Sequence, residues 1–183
     1  MIESIIYTLT SINGIDKVVI KVEGEVLSKL PSGVNLPSIL DRNYGINKKY
    51  DLVTTSNIES YTVFYVNEHN NNKYYVPVTK YVNNSEDRVK VIIKELASSP
   101  IYETNLMSYL NASAELNDYE FNEGNLKLNF NKLLLNDLDE ENILEEVIYT
   151  ISLSMNNIYE DLETVSFYID NKEIHNIYIN EIE

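Results

Sequence analysis

The sequence predicts an α+β fold in which two helices pack on one face of a small mixed or antiparallel sheet, preceded by the C-terminal helix and strand of a first copy of the same module. Three observations predict it: a pair of Tyr/Val-rich runs typical of a hairpin, amphipathic helical stretches alternating with strand-like runs, and an internal repeat. The predicted organisation is residues 1–30 as the tail of the first module, 31–57 as a linker and 58–183 as a complete second module.

The first part of the chain predicts a helix followed by a strand. Asn13-Gly14 is typical of a turn, residues 17–22 form a β-branched run that predicts a strand, and Glu23-Gly24 predicts a second turn. The helix spans residues 2–9, where apolar side chains recur at i, i+3, i+4 and i+7: Ile2, Ile5, Ile6 and Leu9. Residues 30–57 carry the prolines and glycines of an irregular connector: Pro31, Gly33, Pro37 and Gly45.

A hairpin and a helix are predicted next. Residues 61–66 and 74–82 read as antiparallel strands joined by the loop 67–73. Pro77 cannot donate to a ladder, so we expect the second strand to lie at a sheet edge, at least locally. The following helix has Ser85 as N-cap, with Glu86 and Asp87 in its first turn, and Ser98-Ser99-Pro100 ends it. Its predicted buried face is Val89, Ile92, Ile93 and Leu96.

The second half of the module is predicted to contain one more helix and three strands. Residues 101–124 lack periodicity and predict a long loop with a short helical piece near 107–110. Alternation predicts a half-buried strand over 126–130 and β-branching predicts another over 164–169, turned by Asp170-Asn171 into a last short strand near 174–179. The helix is predicted from about Asp139 to Met155, with this apolar face: Ile143, Val147, Ile148 and Ile151.

An internal repeat links the two ends of the chain. Ile6-Tyr7-Thr8 recurs as Ile148-Tyr149-Thr150, and in both places a β-branched strand and an acidic turn follow. Residues 1–30 are too few to bury a core of their own. They must pack on the second module, pair with another chain, or be completed by residues outside this sequence.

These motifs carry a family resemblance that covers nearly the whole chain. The relevant runs are Ile5-Ile6-Tyr7-Thr8-Leu9-Thr10, Gly14-Ile15-Asp16-Lys17-Val18 and Val22-Glu23-Gly24 in the first copy, and Val63-Phe64-Tyr65-Val66, residues 74–80 and Ile92-Ile93-Lys94-Glu95-Leu96 in the second. The chain resembles the GerMN domain family of sporulation and spore-germination proteins. It departs from the family pattern at Asn171, where a final-turn glycine is missing, and at Ser98-Ser99-Pro100, where a glycine usually precedes the proline.

The resemblance implies a role without catalysis. It implies ring-building-motif-like α+β modules that assemble side by side, in a tandem-module lipoprotein on the outer face of the cytoplasmic membrane of endospore formers. The expected partners are other sporulation envelope proteins or further copies of the chain, in a ring or a swapped dimer. The suspected location is the space between mother cell and forespore. The lipid anchor and the first half of module one would lie outside this sequence.

Composition excludes several classes of function. Formal net charge is −15, with only two arginines, Arg42 and Arg88, so the chain lacks the basic patch that nucleic-acid binding requires. The absence of cysteine excludes disulfides and thiol chemistry. No apolar run reaches the roughly 20 residues that span a bilayer.

The candidate chemical sites are weak, and we predict no catalytic, cofactor-binding or metal-binding residue. The acidic run from Asp137 to Glu146 fails as a calcium loop, because Asn142 and Ile148 stand where a glycine and a bidentate glutamate belong. It fits a helix N-terminus capped by Asp137 or Asp139, with its carboxylates near the dipole. His69 and His175 lack metal-ligand spacing. A glycosidase-type carboxylate pair has no specific support.

The tyrosines suggest an interaction surface instead. Alternation places Tyr61, Val63 and Tyr65 on one face of the first hairpin strand, and Tyr75, Thr79 and Tyr81 on one face of the next. Such rows either pack across the sheet or form an exposed platform for protein or sugar. Because the family resemblance implies a role in sporulation, we predict a non-catalytic assembly protein of spore formation or germination, with a peptidoglycan- or glycan-binding module as the alternative.

Overall fold

The computed structural model describes residues 1–83, 87–98, 105–137 and 141–182, and the chain divides into two compact units, Met1–Lys49 and Tyr50–Glu183. The boundary between these units falls within the predicted linker 31–57. The finer division into 1–30, 31–57 and 58–183 stays a prediction.

The first unit has little regular structure. Helix α1 spans Ile2–Leu9 as predicted, and the turn at Glu23-Gly24 closes a two-residue hairpin between β1 (Lys21–Val22) and β2 (Glu25–Val26). The predicted strand over 17–22 is wrong in extent, since apart from β1 it contains only an isolated bridge from Val18 to Leu40. β-Branching favours strands, but Val19 and Val22 are 48% and 54% exposed, so no wider sheet buries this run.

The predicted connector over 30–57 is mostly irregular. A 3₁₀ turn lies at Arg42–Tyr44, with Asp41 accepting from the Asn43 amide at 2.9 Å. The exception is a short strand, β3 (Lys49–Asp51), which sequence reasoning missed.

The second unit opens with the predicted hairpin, whose strands are longer than expected. Strand β4 (Ile58–His69) pairs with β5 (Asn72–Asn83) over twelve residue pairs. The predicted seven-residue loop is wrong, since Asn70 and Asn71 make a two-residue turn with φ of 51° and 61°. Asparagine tolerates this left-handed conformation, which lets the strands continue almost to the tip.

The prediction that Pro77 lies at a sheet edge, at least locally, stays a prediction. Strand β5 is the middle strand of the sheet β3-β5-β4, although the three-residue β3 is too short to flank all of it. Pro77 is paired with Phe64, whose N–H points out of the ladder to the Ser154 hydroxyl at 2.9 Å. The ladder therefore needs no N–H from Pro77 at this pair.

Helix α2 (Arg88–Ala97) buries the predicted face. Its N-cap is Asp87, whose carboxylate accepts from the Val89 and Lys90 amides at 3.1 and 3.3 Å. The prediction that Asp87 lies inside the first turn is therefore wrong, because the helix begins at the next residue. Ser85, Glu86, Ser99 and Pro100 lie outside the described residues.

The stretch predicted as a long loop contains a strand. Met107 and Val66 exchange backbone hydrogen bonds of 2.8 and 2.9 Å in an isolated bridge, so the predicted helical piece at 107–110 is wrong. Strand β6 (Leu116–Asn122) then pairs with β7 (Asn125–Phe130). A bulge between Leu116 and Asp118 interrupts the alternation of β6, which hid this strand from the sequence pattern.

The last elements complete a four-stranded sheet. After a 3₁₀ turn at Lys132–Leu134, helix α3 (Glu145–Asn156) leads to β8 (Thr164–Ile169), the turn at Asp170-Asn171 and β9 (Lys172–Tyr178), and a 3₁₀ turn at Ile179–Glu181 follows. The order is β6-β7-β8-β9, with β7 and β8 parallel and the outer pairs antiparallel. The helix starts later than predicted, at Glu145 after the N-cap position Leu144.

Helices α2 and α3 share one core with the inner face of this sheet, which confirms the α+β fold class. The paired inner side chains are Leu126 with Val165, Leu128 with Phe167 and Phe130 with Ile169, all buried. Among the described residues, no helix has the length and apolar character to cross a bilayer.

Candidate interaction site

The first predicted tyrosine row is buried rather than exposed. Tyr65 is 2% exposed and its phenol donates to a Glu95 carboxylate oxygen at 2.7 Å. Lys80 forms an ion pair with the same carboxylate. Burial and the Glu95 charge raise the pKa of Tyr65, and raise that of the half-buried Tyr61 to about 12. This row attaches the hairpin to α2.

The second row lies on the opposite face of the hairpin and is also packed. Tyr75 lies against Tyr149 of α3, with ring centroids 5.4 Å apart, and Tyr81 stacks on Tyr50 at 4.9 Å. Thr79 is buried and its hydroxyl lies 3.0 Å from that of Thr62. The first row is packed inside the fold, whereas Tyr75 and Tyr81 of the second row are half-buried and Tyr50 is 65% exposed.

A buried carboxylate links the hairpin tip to α3. The sequence pattern did not predict that this residue contacts the hairpin. The side chain of Glu146 is 9% exposed and forms an ion pair with Lys73, whose own side chain is 45% exposed. Burial opposes ionisation of Glu146, but the hydrogen bond from Lys73 and a backbone hydrogen bond outweigh it, so the pKa of Glu146 is lowered. The same hydrogen bond raises the pKa of Lys73.

The acidic run is only in part the predicted helix cap. Glu145 and Glu146 lie in the first turn of α3, where carboxylates complement the dipole. The prediction that Asp137 caps this helix is wrong, because Asp137 instead makes an isolated bridge with Asn142, before the helix begins. Asp139 and Glu140 lie outside the described residues.

The two histidines occupy strand ends and edges. His69 ends β4 and is exposed, and His175 lies on β9 with its ring 6.4 Å from that of Phe167. Within the ranges that the structure describes, no three His, Cys, Asp or Glu side chains come together as a metal site. The prediction of no catalytic, cofactor or metal residue remains a prediction.

Two grooves flank the edges of the four-stranded sheet, and neither was predicted. The first, the basic groove, has a volume of about 720 Å³ and lies between α2 and the start of β6. Lys90 and Lys94 stand on its helical wall and Ala112, Ala114 and Leu116 on the other, with Glu115 beside them. Both lysines are exposed, and neither has an ion-pair partner in the described part of the chain.

The second, the acidic groove, has a volume of about 470 Å³ and lies between the start of α3 and β9. Its charged groups are Glu141, Glu145 and Glu181, with His175 also in the wall and isoleucines between them. Glu141 is paired with Lys172, whereas Glu145 and Glu181 have no ion-pair partner among the residues described. The grooves are thus lined by charges of opposite sign.

The first unit has a further candidate surface. Its buried aliphatic side chains are only Ile6, Leu36 and Leu40. Polar contacts supplement them, such as Arg42 over the Tyr7 ring at 4.0 Å. Eight aliphatic side chains of this unit are exposed: Ile5, Ile12, Ile15, Val19, Val22, Val26, Val34 and Ile39.

A known protein family matches more than half of the chain. The Germane family, described as sporulation and spore germination, matches residues 62–175. The spore germination protein GerM of Bacillus subtilis (strain 168) is 32% identical over 181 residues, covering 94% of this chain and 48% of the relative. The chain therefore spans about half the length of this curated relative.

A solved structure supports the same relationship. The tandem GerMN domains of the sporulation protein GerM from Bacillus subtilis match with a TM-score of 0.82 and 30% identity, over 93% of this chain and 60% of that one. The family resemblance found in the motifs is thus confirmed. The chain belongs to the Germane family of sporulation and spore-germination proteins, and its fold is that of GerMN domains.

Proposed function

We propose that the protein acts in endospore formation or germination as a non-catalytic assembly protein of the cell envelope, through contacts between modules. Membership of a sporulation family supports the process. The mechanism is inferred from the first unit, which exposes eight aliphatic side chains and buries three. Exposed apolar side chains gain free energy when contact with a partner removes them from water.

The proposal includes a location. The protein works outside the cytoplasmic membrane, held by a lipid anchor on a longer parent chain, in the space between mother cell and forespore. Protease added to wall-stripped sporulating cells, before the forespore is enclosed, tests this location, since a protein outside the cytoplasmic membrane is then degraded and a cytoplasmic one is protected.

The exposed surface can be tested by removing apolar character without changing shape. Val19→Thr, Val22→Thr and Val26→Thr keep β-branched side chains in and beside the β1–β2 hairpin. The matched control is Val53→Thr in the second unit, because Val53 is also an exposed valine. The assay counts heat-resistant, germinating spores from a strain deleted for the gene and complemented by each allele.

We expect the deletion to lower the count markedly, the intact gene and the control to restore it, and the triple variant to restore it poorly. An unchanged count after deletion would overturn the role in sporulation. Full rescue by the triple variant would overturn the role of this surface.

The glycan-binding alternative has less support than our proposal, since Tyr65 is buried and Tyr75 packs on Tyr149, but the Tyr50–Tyr81 stack is the surface that a sugar would use. Titration of the protein against soluble cell-wall fragments tests it directly. Our proposal expects no saturable binding, and a saturating curve would favour the alternative.

A further inference from the structure

We propose that the second unit associates head to tail with a second copy of the chain, the basic groove at the β6 edge of one copy facing the acidic groove at the β9 edge of the next. This inference rests on the proposed function, since it adds a contact between modules through the second unit to the one proposed for the exposed side chains of the first.

The topology makes β6 and β9 the two edges of one sheet. Because β6 is antiparallel to β7, β7 parallel to β8, and β8 antiparallel to β9, the strands β6 and β9 run in the same direction. Copies placed side by side, with helices on the same face, therefore bring β9 of one next to β6 of the other as parallel neighbours. The two surfaces differ, so the contact is heterologous, and it generates a ring or an open filament.

The grooves overlap only in part along the strand direction. Asp87, at the N-terminal end of α2, accepts from the Tyr119 phenol midway along β6 at 3.0 Å. The C-terminal half of α2 lines the basic groove with Leu116, at the start of β6. The first turn of α3 lines the acidic groove with residues 174–177 of β9, and Glu141 before this helix is paired with Lys172 at the start of β9. The pairing register aligns Leu116 with Lys172 across the sheet, so the basic groove lies where β6 and β9 begin, whereas the acidic groove extends along β9 to Glu181, beyond the end of this strand. Facing grooves therefore require neighbouring copies to be staggered along the strand direction.

Charge complementarity identifies the occupant. In a chain of net charge −15, two unpaired lysines one helical turn apart form a local exception. The opposite edge of the same unit presents the unpaired carboxylates of Glu145 and Glu181. A second copy supplies both the charge and the apolar side chains that each groove lacks. Complementary potentials of this kind fix register and orientation in protein interfaces.

The contact relies on side chains more than on a continuous ladder between strands. The Tyr119 N–H of β6 is already bonded to the Asp118 carboxylate at 2.9 Å, and the bulge at Leu116 and Asp118 twists this edge. Edges treated in this way resist indiscriminate strand pairing, so the charged grooves select the partner.

The test uses two charge-reversed variants of the full chain. Variant one carries Lys90→Glu and Lys94→Glu, so both of its grooves are acidic. Variant two carries Glu145→Lys and Glu181→Lys, so both of its grooves are more basic. The control for net charge is Lys127→Glu with Lys132→Glu, two exposed lysines outside the grooves. Thermal melts confirm that every variant is folded.

Sedimentation velocity over a range of protein concentrations gives the association constant. We expect the wild type and the control to associate, each groove variant to lose about tenfold or more in association constant, and an equimolar mixture of the two variants to recover it. Raising salt from about 50 mM to about 500 mM weakens the wild-type association.

A wild type that stays monomeric at all concentrations would overturn the inference, as would groove variants that associate like the wild type or a mixture that gains nothing. These outcomes leave the proposed function standing if deletion of the gene still lowers the spore count, because another partner then makes the contact. An unchanged spore count with recovered mixing would instead refute the sporulation role and keep the contact.

Discussion

The ion pair between Lys73 and Glu146 offers a quantitative test of how the hairpin is attached to α3. Lys73→Met removes the cation and leaves a carboxylate whose side chain is 9% exposed. Removing one partner of a fully buried pair costs about 3–5 kcal/mol, and an exposed pair contributes about 0.2–1 kcal/mol. The cost falls on the Glu146 carboxylate, which stays largely buried without its partner but is still reached by some water, so we expect an intermediate loss of about 2 kcal/mol at pH 7.

The same substitution has a defined pH dependence. In the wild type the lowered pKa of Glu146 means that the pair stabilises the fold above the unfolded-state pKa of about 4.3, and this contribution is lost as pH falls through the folded-state value. In the variant, burial acts without the lysine, so the pKa of Glu146 rises and protonation relieves the buried charge. The difference between the two proteins therefore shrinks as pH falls first through the raised pKa of Glu146 in the variant and then through its lowered pKa in the wild type.

Urea unfolding followed by far-UV circular dichroism measures this difference, since the chain has no tryptophan. A loss of about 2 kcal/mol moves the midpoint by about 1 M for a slope of about 2 kcal/mol/M. The matched control is Lys172→Met, because Lys172 and its partner Glu141 are 63% and 51% exposed, and it should change little. An equal loss in both variants, or a loss that is the same at pH 7 and pH 3.5, would refute the reasoning.

Three further predictions concern the packing of the second unit. Gly124→Ala should lower the free energy of unfolding by more than about 2 kcal/mol in urea titrations, because φ is +78° and a Cβ would lie 2.9 Å from the Asp161 carbonyl oxygen. The control Gly124→Asn tolerates this φ but carries the same Cβ, so it should also be less stable than the wild type. Ser154→Ala should cost about 1–3 kcal/mol by leaving the Phe64 N–H unpaired, whereas a loss below about 0.5 kcal/mol would show that this bond contributes little. Absorbance at 295 nm should reveal a group of phenols that titrates only near pH 12, because burial first, and then nearby carboxylates, raise their pKa. The free energy of unfolding should fall as pH rises from about 10. Titration of all phenols near pH 10 would show that the packing is wrong. These phenols are Tyr61, Tyr75 and Tyr119.

Much of the fold could be predicted because the pattern of apolar residues follows local geometry. The face of α2 and the alternation of Leu126, Leu128 and Phe130 are fixed by the helical and strand periods, and the structure confirms them. Strand β6 was missed because its bulge shifts the inward positions by one residue. The strand predicted over 17–22 did not form beyond β1 because strand propensity requires neighbours to pair with, and those depend on the rest of the structure.

The interaction surfaces could not be predicted from sequence for a different reason. Glu145 and Glu181 lie far apart in the chain and line one groove only because β8 inserts parallel to β7 and carries β9 to the outer edge. Lys90 and Lys94 lie on the exposed side of α2, and the apolar pattern of a helix identifies only its buried side. Conversely, the tyrosine rows were visible in the sequence, but only the packing of α2 and α3 decides whether they are exposed.

The central claim is that copies of the protein work during sporulation through contacts between the basic and the acidic groove, and one measurement in cells tests it most directly. A strain deleted for the gene receives the Lys90→Glu/Lys94→Glu allele, the Glu145→Lys/Glu181→Lys allele, or both together, and heat-resistant, germinating spores are counted. The account predicts low counts with either allele and recovery when both are expressed. Full counts with either allele, or no recovery with both, would contradict it.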